Sequence, residues 1–241
     1  MKKLLLGNEA IARGAWEAGV HVVASYPGTP STEITENISK YDEIYSEWAP
    51  NEKVALEVSI GASVTGARAM SAMKHVGLNV AADPLYTASY TGVNGGLVIV
   101  VADDPGMHSS QNEQDSRYHA LASHIPMLEP SDSQECLDFT KAAFDISEKF
   151  DTPVIIRTTT RIAHQRSLVE LSDRQELPKK EYKKDIMKYV MMPGMAIKRH
   201  VIVDKRMNDL ENNKEVSSLV NKIEYNDKTL GIITSGISYQ Y

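Results

Sequence analysis

The chain has very little cysteine, since Cys136 is the only one among 241 residues. A single thiol excludes an internal disulfide. It also excludes an iron–sulfur cluster or a zinc site built from this chain's own thiolates. Cys136 falls in an amphipathic helical pattern, which predicts a buried and unreactive thiol.

Long apolar runs and an excess of basic charge are also absent. No stretch approaches the roughly 18–20 apolar residues that cross a bilayer. The leucines of Leu4–Leu6 make too short a run for a signal peptide and instead predict a first strand. We therefore expect a cytoplasmic protein without membrane contact. The formal net charge of −6 argues against a nucleic-acid partner.

A regular alternation of helical and strand-like runs extends from Asn8 to about Thr160. Asn8 is expected to cap a helix through Ala18, and Asp132 to cap another through Phe150. Helices between short β-branched strands predict an α/β fold, a parallel sheet with helices on both faces. Its sites should lie in the loops beyond the carboxyl ends of the strands. Buried strands are predicted at residues 20–24, 97–102 and 153–158.

The composition changes after about residue 166, which we take as the end of the first domain (1–166). Residues 167–228 are polar and predict a connector with a helix over 197–213, no strand, and solvated basic clusters such as 198–200. Residues 229–236 predict a buried strand followed by a glycine turn. We expect 229–241 to be the truncated start of a second α/β domain, and the chain to be a fragment.

The helix predicted from Glu52 combines a carboxylate with small residues. Pro50 and Asn51 are helix-start signals. A carboxylate beside a closely packed helix suits a ligand nitrogen. The plainer interpretation is a surface glutamate in a first turn, where the helix dipole favours it. Small residues recur at helical spacing along one stripe: Ser59, Ala62, Ser63 and Gly66.

The turn after the first buried strand has a distinctive composition. Pro27, Gly28 and Pro30 make it stiff, and Ser31 or Thr32 can cap the next helix with a hydroxyl directed outward. Such a turn suits an anion, for instance a substrate carboxylate, and is equally compatible with an ordinary turn and cap.

Taken together, the 26–31 turn and the helix opened by Glu52 resemble the pyrimidine-binding domain of thiamine-diphosphate-dependent 2-oxoacid:ferredoxin oxidoreductases. Residues 73–85, 102–117 and 125–135 narrow the resemblance to alpha subunits of indolepyruvate:ferredoxin oxidoreductases. It covers essentially the whole chain. It implies oxidative decarboxylation of indolepyruvate or another aryl pyruvate to an acyl-CoA, with electrons passed to ferredoxin.

The resemblance also implies a glutamate that hydrogen-bonds N1′ of the cofactor's aminopyrimidine. In the family pattern this glutamate lies nine residues before a glycine, which selects Glu52 ahead of Gly61. Glu57 has the same spacing to Gly66 and remains a rival, although an ion-paired residue deeper in the helix is its plainer interpretation.

Further site residues follow from the resemblance. Thr29 matches the family threonine beside the substrate carboxylate and the reactive carbon, and Pro27 and Gly28 would contact the cofactor. Lys74 and His75 would contact the 2-oxoacid, and His75 also the cofactor, although His75 equally suits a polar strand end. Arg117 could pair the substrate carboxylate or form an ion pair with Asp115 or Glu113.

The resemblance assigns the remaining components to parts that this chain lacks. Mg²⁺ and the diphosphate would be held by another domain, and [4Fe–4S] clusters by the full-length protein. No metal is therefore assigned here. The implied partners are coenzyme A, ferredoxin, a beta subunit and a further copy in a homo-oligomer. Two alternatives remain: a pyruvate or 2-oxoglutarate oxidoreductase, and a non-catalytic module that dimerises through the 59–66 stripe.

Overall fold

The protein contains one large and one small β-sheet; a computed structural model describes residues 1–241. The strands are β1 (Lys2–Leu6), β2 (Val22–Ser25), β3 (Tyr45–Trp48), β4 (Ala69–Lys74), β5 (Leu97–Asp103), β6 (Met127–Leu128), β7 (Val154–Thr159) and β8 (Arg166–Glu170). The helices are α1 (Gly7–Glu17), α2 (Thr32–Ile38), α3 (Glu52–Val64), α4 (His75–Val80), α5 (Ala82–Thr91), α6 (Arg117–Ser123), α7 (Ser133–Phe150), α8 (Thr160–His164), α9 (Ile186–Tyr189), α10 (Pro193–Glu211) and α11 (Lys214–Val220). A 3₁₀ helix spans Gly236–Gln240.

The large sheet confirms the predicted α/β fold. Its six strands lie in the order β3–β2–β4–β5–β7–β6, and every pair is parallel. Side chains alternate along β5, so Val98 and Val100 belong to the same apolar cluster as Ile11 of α1, while Ile99 and Val101 belong to the cluster on the opposite face. Helices therefore cover both faces, and β5 is buried along its whole length.

The helix predicted from Asn8 begins one residue earlier, and Asn8 is not its cap. A Cβ at Gly7 would lie 2.1 Å from the Ile162 carbonyl oxygen, so only glycine allows the helix to begin this close to α8. Asn8 is buried inside the first turn and donates to the Pro30 carbonyl oxygen at 2.8 Å. The predicted Asp132 cap is confirmed, because its carboxylate accepts from the Glu135 amide at 2.8 Å.

The prediction of no strand within residues 167–228 is wrong. Strand β8 pairs antiparallel with β1, from Lys2 opposite Glu170 to Leu6 opposite Arg166. The first strand therefore exists, but it lies outside the large sheet. Its partner is more than 150 residues away, so no local pattern could reveal the pairing.

Residues 229–236 do not form the predicted strand. Their apolar side chains are exposed, with Ile233 fully so, and no neighbouring strand accepts their backbone hydrogen bonds. The division at residue 166 and the second domain stay predictions. The helix predicted over 197–213 is present as α10, although it begins four residues earlier.

Two predictions from the composition concern Cys136 and membrane contact. Cys136 is fully buried in α7, as predicted, and burial raises the pKa of its thiol well above the ordinary range. None of the helices is long and apolar enough to span a membrane.

Candidate functional site

The carboxyl ends of neighbouring parallel strands bring several predicted site residues to one edge of the sheet. The turn at 26–31 follows β2, and Glu52 follows β3 after a three-residue link. Lys74 ends β4 and His75 opens α4, while Asp103 ends the adjacent β5. This edge is where open α/β sheets bind ligands.

Glu52 is a buried carboxylate that the protein leaves without a hydrogen-bond partner. Asn51 caps α3 by accepting from the Val54 amide at 3.0 Å, which fixes Glu52 in the first turn. Its exposure is 9%, and it forms no hydrogen bond or ion pair within the chain. A Cβ added to Gly77 would lie 2.5 Å from Glu52 Oε1, so the carboxylate lies directly against the α4 backbone. Glu52 can therefore accept a hydrogen bond from a ligand.

Glu57, the rival carboxylate, has a different environment. Its side chain is exposed to solvent further along α3. Burial thus distinguishes the two glutamates, whereas their spacing to glycine does not. The assignment of the cofactor-activating role to Glu52 stays a prediction.

The small-residue stripe of α3 packs inside this chain. Ser59 donates to the Met70 carbonyl oxygen at 2.9 Å, and Ser63 donates to the Gly95 carbonyl oxygen. Gly66 lies against the backbone of Lys180. These residues are covered by the chain's own backbone, so the stripe does not provide the dimer interface that we considered from the sequence.

The 26–31 turn is held by its own hydroxyl groups, contrary to the outward direction predicted for them. Ser31 Oγ donates to the Gly28 carbonyl oxygen at 2.7 Å, and the Gly28 amide donates to Thr32 Oγ1 at 2.8 Å. Ser31 does precede α2, but its side chain caps no backbone amide. Pro27 and Thr29 are exposed at the edge, and the Thr29–Pro30 peptide is cis.

Lys74 and His75 lie beneath the loop of residues 105–116. Lys74 Nζ donates to the Ser109 carbonyl oxygen at 2.9 Å, and its methylene stem passes beneath Gly28. His75 is fully buried, and its Nε2 lies 3.1 Å from the Asn112 carbonyl oxygen. Because a carbonyl only accepts, Nε2 carries the proton, and Nδ1 is left without a partner.

Arg117 lies directly after this loop. It opens α6, is half exposed, and binds Asp115 with 2.8 Å between Nη2 and Oδ2. The hydrogen bond from Arg117 holds the pKa of Asp115 below its ordinary value. The ion pair considered from the sequence is therefore present, whereas Glu113 instead accepts from the Gly106 amide. No hydrogen bond joins Arg117 to Lys74 or His75, and its contact with substrate stays a prediction.

Two buried acids at the end of β5 had no role predicted from the sequence. Asp103 accepts hydrogen bonds from Ser116 and from Arg157 Nε, the latter at 2.7 Å. Asp104 accepts from Ser109 N, Ser110 Oγ and Thr160 Oγ1 at 2.7–2.8 Å. In the sequence, the signal that could have indicated a role for them was the position of two adjacent acids directly after a predicted buried strand. Their partners could not be read locally, because Arg157 and Thr160 come from β7 and α8.

Comparison with known proteins identifies the family. Residues 13–228 match the model of the pyruvate flavodoxin/ferredoxin oxidoreductase, thiamine-diphosphate-binding family. The chain belongs to this family. Its α/β unit is therefore a thiamine-diphosphate-binding domain, and the elements just described supply its strand-end loops.

The chain is similar along most or all of its length to subunits of oxoacid oxidoreductases and synthases. The chain is 48% identical, over 100% of its length, to indolepyruvate oxidoreductase subunit IorA of Archaeoglobus fulgidus and to the same subunit of Pyrococcus horikoshii. It spans about 40% of the length of those relatives. It is 32% identical, over 72% of its length, to 2-oxoglutarate synthase subunit KorA of Methanothermobacter thermautotrophicus, and covers 49% of it.

A solved structure supports the fold. The 2-oxoglutarate:ferredoxin oxidoreductase from Magnetococcus marinus superposes with a TM-score of 0.73 at 18% identity, covering 88% of this chain and 46% of that one.

Proposed function

We propose that this chain is the N-terminal part of a thiamine-diphosphate-dependent 2-oxoacid:ferredoxin oxidoreductase that acts on indolepyruvate or a related aryl pyruvate. The observation that carries the proposal is Glu52, a buried carboxylate with no protein partner at the carboxyl edge of a family-typical sheet. The names of the most similar relatives support the choice of substrate. Because the chain spans about 40% of their length, the activity would belong to a longer protein.

The residues at this edge fit the aminopyrimidine half of the cofactor. Glu52 offers an unpaired acceptor in a largely dry position, which suits a ring nitrogen that must gain a proton. When bound, thiamine diphosphate supplies the electron sink for decarboxylation. Glu52 would hold a proton at N1′ of the aminopyrimidine. Pro27 and Gly28 would border the ring, and His75 Nδ1 offers a second unpaired acceptor.

The substrate groups would be bound by the turn and by the end of β4. Lys74 carries a positive charge and uses one N–H on Ser109, which leaves two for a carboxylate. The hydroxyl of Thr29 is exposed and unpaired at the same edge. Arg117 would contribute only after rearranging its ion pair with Asp115.

The rest of the proposed enzyme lies outside this domain. Mg²⁺ and the diphosphate would be held by another domain, and [4Fe–4S] clusters by the full-length protein. The partners would be a beta subunit and a further copy of this chain. Coenzyme A would accept the acyl group and ferredoxin the electrons, and we propose a cytoplasmic location for this reaction. The KorA relatives favour 2-oxoglutarate as the second candidate substrate. Measuring the turnover of indolepyruvate, phenylpyruvate, pyruvate and 2-oxoglutarate by the complete enzyme would decide which of these acids is the substrate.

The decisive test compares two glutamates of one helix. In the complete enzyme, Glu52→Gln should still bind thiamine diphosphate but lose exchange of the cofactor's C2 proton with D₂O by about 10²–10⁴-fold, because an amide cannot exchange a proton as a general acid–base. Glu57→Gln is the matched control and should retain exchange. The proposal is wrong if Glu52→Gln exchanges like the parent, and loss in Glu57→Gln alone would move the role to Glu57.

A further inference from the structure

The 105–116 loop is attached at two places to the acids that end β5. Asp104 accepts from the Ser109 amide at 2.8 Å and from the Ser110 hydroxyl at 2.7 Å. Asp103 accepts from the Ser116 amide at 3.1 Å. Both acids are buried, with exposures of 0% and 1%, so the loop is anchored to the rigid centre of the sheet.

Asp104 is held in its charged form by these contacts. Burial on its own raises the pKa of a carboxyl group. The hydrogen bonds from Thr160, Ser109 and Ser110 outweigh it and hold the pKa of Asp104 well below its ordinary value. A charged acceptor makes shorter and stronger hydrogen bonds than a neutral one. The position of Ser109 relative to the sheet is therefore fixed by a strong contact.

Ser109 connects this anchor to the candidate site. Its amide binds Asp104, while its carbonyl oxygen accepts from Lys74 Nζ at 2.9 Å. Its hydroxyl lies 3.4 Å from the Thr29 carbonyl oxygen. One residue thus joins the end of β5, the end of β4 and the 26–31 turn. Any displacement of Ser109 would remove the only hydrogen bond that holds the Lys74 ammonium group.

We propose that Asp104 is a positioning residue for substrate binding: through Ser109 it holds the Lys74 ammonium group beside Thr29, where a 2-oxoacid carboxylate would bind. The inference rests on the proposed function, because it assigns the substrate carboxylate to Lys74. Asp104 itself need not touch the substrate. Its effect passes through one backbone unit, whose amide and carbonyl bind the acid and the lysine respectively.

The test uses the complete oxidoreductase with indolepyruvate as substrate. Asp104→Ala should raise KM for indolepyruvate about tenfold or more, with a much smaller fall in kcat and unchanged affinity for thiamine diphosphate. Asp104→Asn keeps the shape but has one acceptor oxygen instead of two, so its KM should lie between those of the parent and Asp104→Ala. The Asp104→Asn variant also tests the proposal if Asp104→Ala fails to fold.

Coupling to Lys74 separates positioning from general destabilisation. Lys74→Ala should raise KM by itself, and adding Asp104→Ala should raise it little further, because both changes remove the same contact. Asp132→Ala is the control, since it removes the N-cap of α7 and should leave KM unchanged.

Each outcome of this experiment is decisive. The positioning role of Asp104 is overturned if both Asp104 variants have the parental KM, or if the effects of the two changes are additive in the double variant. Either result would leave the proposed contact of Lys74 with the substrate intact. An unchanged KM in Lys74→Ala overturns both this inference and the proposed substrate contact.

Discussion

At the scale of single residues, Glu52 is positioned by the cap of its own helix and by a contact with Gly77. Its place in the first turn of α3 comes from Asn51, and its side chain rests on Gly77. The cap was predictable because it depends on neighbouring residues. The contact with Gly77 was not predictable, because it joins α3 to α4, two helices that β4 separates along the chain. A residue lacking a Cβ is required there.

Gly77→Ala tests this contact. The new Cβ would lie 2.5 Å from Glu52 Oε1 and 2.6 Å from its Cγ, so the carboxylate must move. We expect the complete enzyme to lose about tenfold or more of its C2-proton exchange, because sub-ångström placement governs such proton transfer.

Gly61→Ala is the matched control for this change. It lies in α3 with no atom within 4 Å of the added Cβ. In an exposed helix, alanine should increase the free energy of unfolding by up to about 1 kcal/mol and leave exchange unaltered. Parental exchange in Gly77→Ala would show that Glu52 does not depend on this packing.

At the scale of elements, α10 is attached to the domain by buried arginines, although its basic residues were expected to be solvated. Arg199, Val203 and Arg206 are its buried residues, and their i, i+4, i+7 spacing marks one helical face. That spacing was a usable signal in the sequence. The groups that accept hydrogen bonds from these arginines could not be predicted, because Tyr90, Ser89 and Asp151 lie in other elements.

Arg206→Met should destabilise the protein. Burial lowers the pKa of Arg206 to about 10, and its guanidinium donates to the Asp151 and Ser89 carbonyl oxygens at 2.7 and 2.8 Å. Methionine fills much of the space but leaves those oxygens without donors. The free energy of unfolding, measured with urea, should fall by about 2–3 kcal/mol.

The neighbouring Lys205 provides the comparison. Its side chain is 78% exposed and pairs only with Asp209. Lys205→Met should change the free energy of unfolding by less than about 0.5 kcal/mol. If the two variants were equally stable, the buried arginine would not be what attaches α10.

At the scale of the whole molecule, the segment after β8 is bound to the α/β domain through one buried and one half-buried acid. Glu17 of α1 accepts from the Ser172 amide at 2.8 Å and from Lys141 at 3.0 Å. Glu148 of α7 accepts from Arg68 and pairs with Lys180, both at 3.0 Å. The alternation of the first 160 residues predicted the central sheet, because its pattern is local. It could not predict this attachment, since the partners come from distant parts of the chain.

These acids make stability depend on pH. Burial alone raises the pKa of Glu17, but hydrogen bonds from Ser172, Arg13 and Lys141 outweigh it and lower the pKa below 4.5. Burial alone also raises the pKa of Glu148, but the hydrogen bonds and the charge of Arg68 outweigh this effect, so the pKa of Glu148 is lowered. A carboxyl group with a lowered folded-state pKa stabilises the fold above its unfolded pKa. That stabilisation is lost as the pH falls through the folded value.

We therefore expect the free energy of unfolding to decrease as the pH is lowered from about 6 to about 3. Glu17→Gln should be less stable than the parent by about 1–3 kcal/mol at neutral pH, because an amide cannot accept from the same set of charged donors. Its stability should also decline less steeply with acid, since one group that takes up a proton on unfolding is gone.

Glu36→Gln, at an exposed position of α2, is the control and should follow the parent's pH profile. Urea titrations at several pH values measure all three. A Glu17→Gln profile parallel to the parent's would mean that the attachment of the segment after β8 does not depend on this charge.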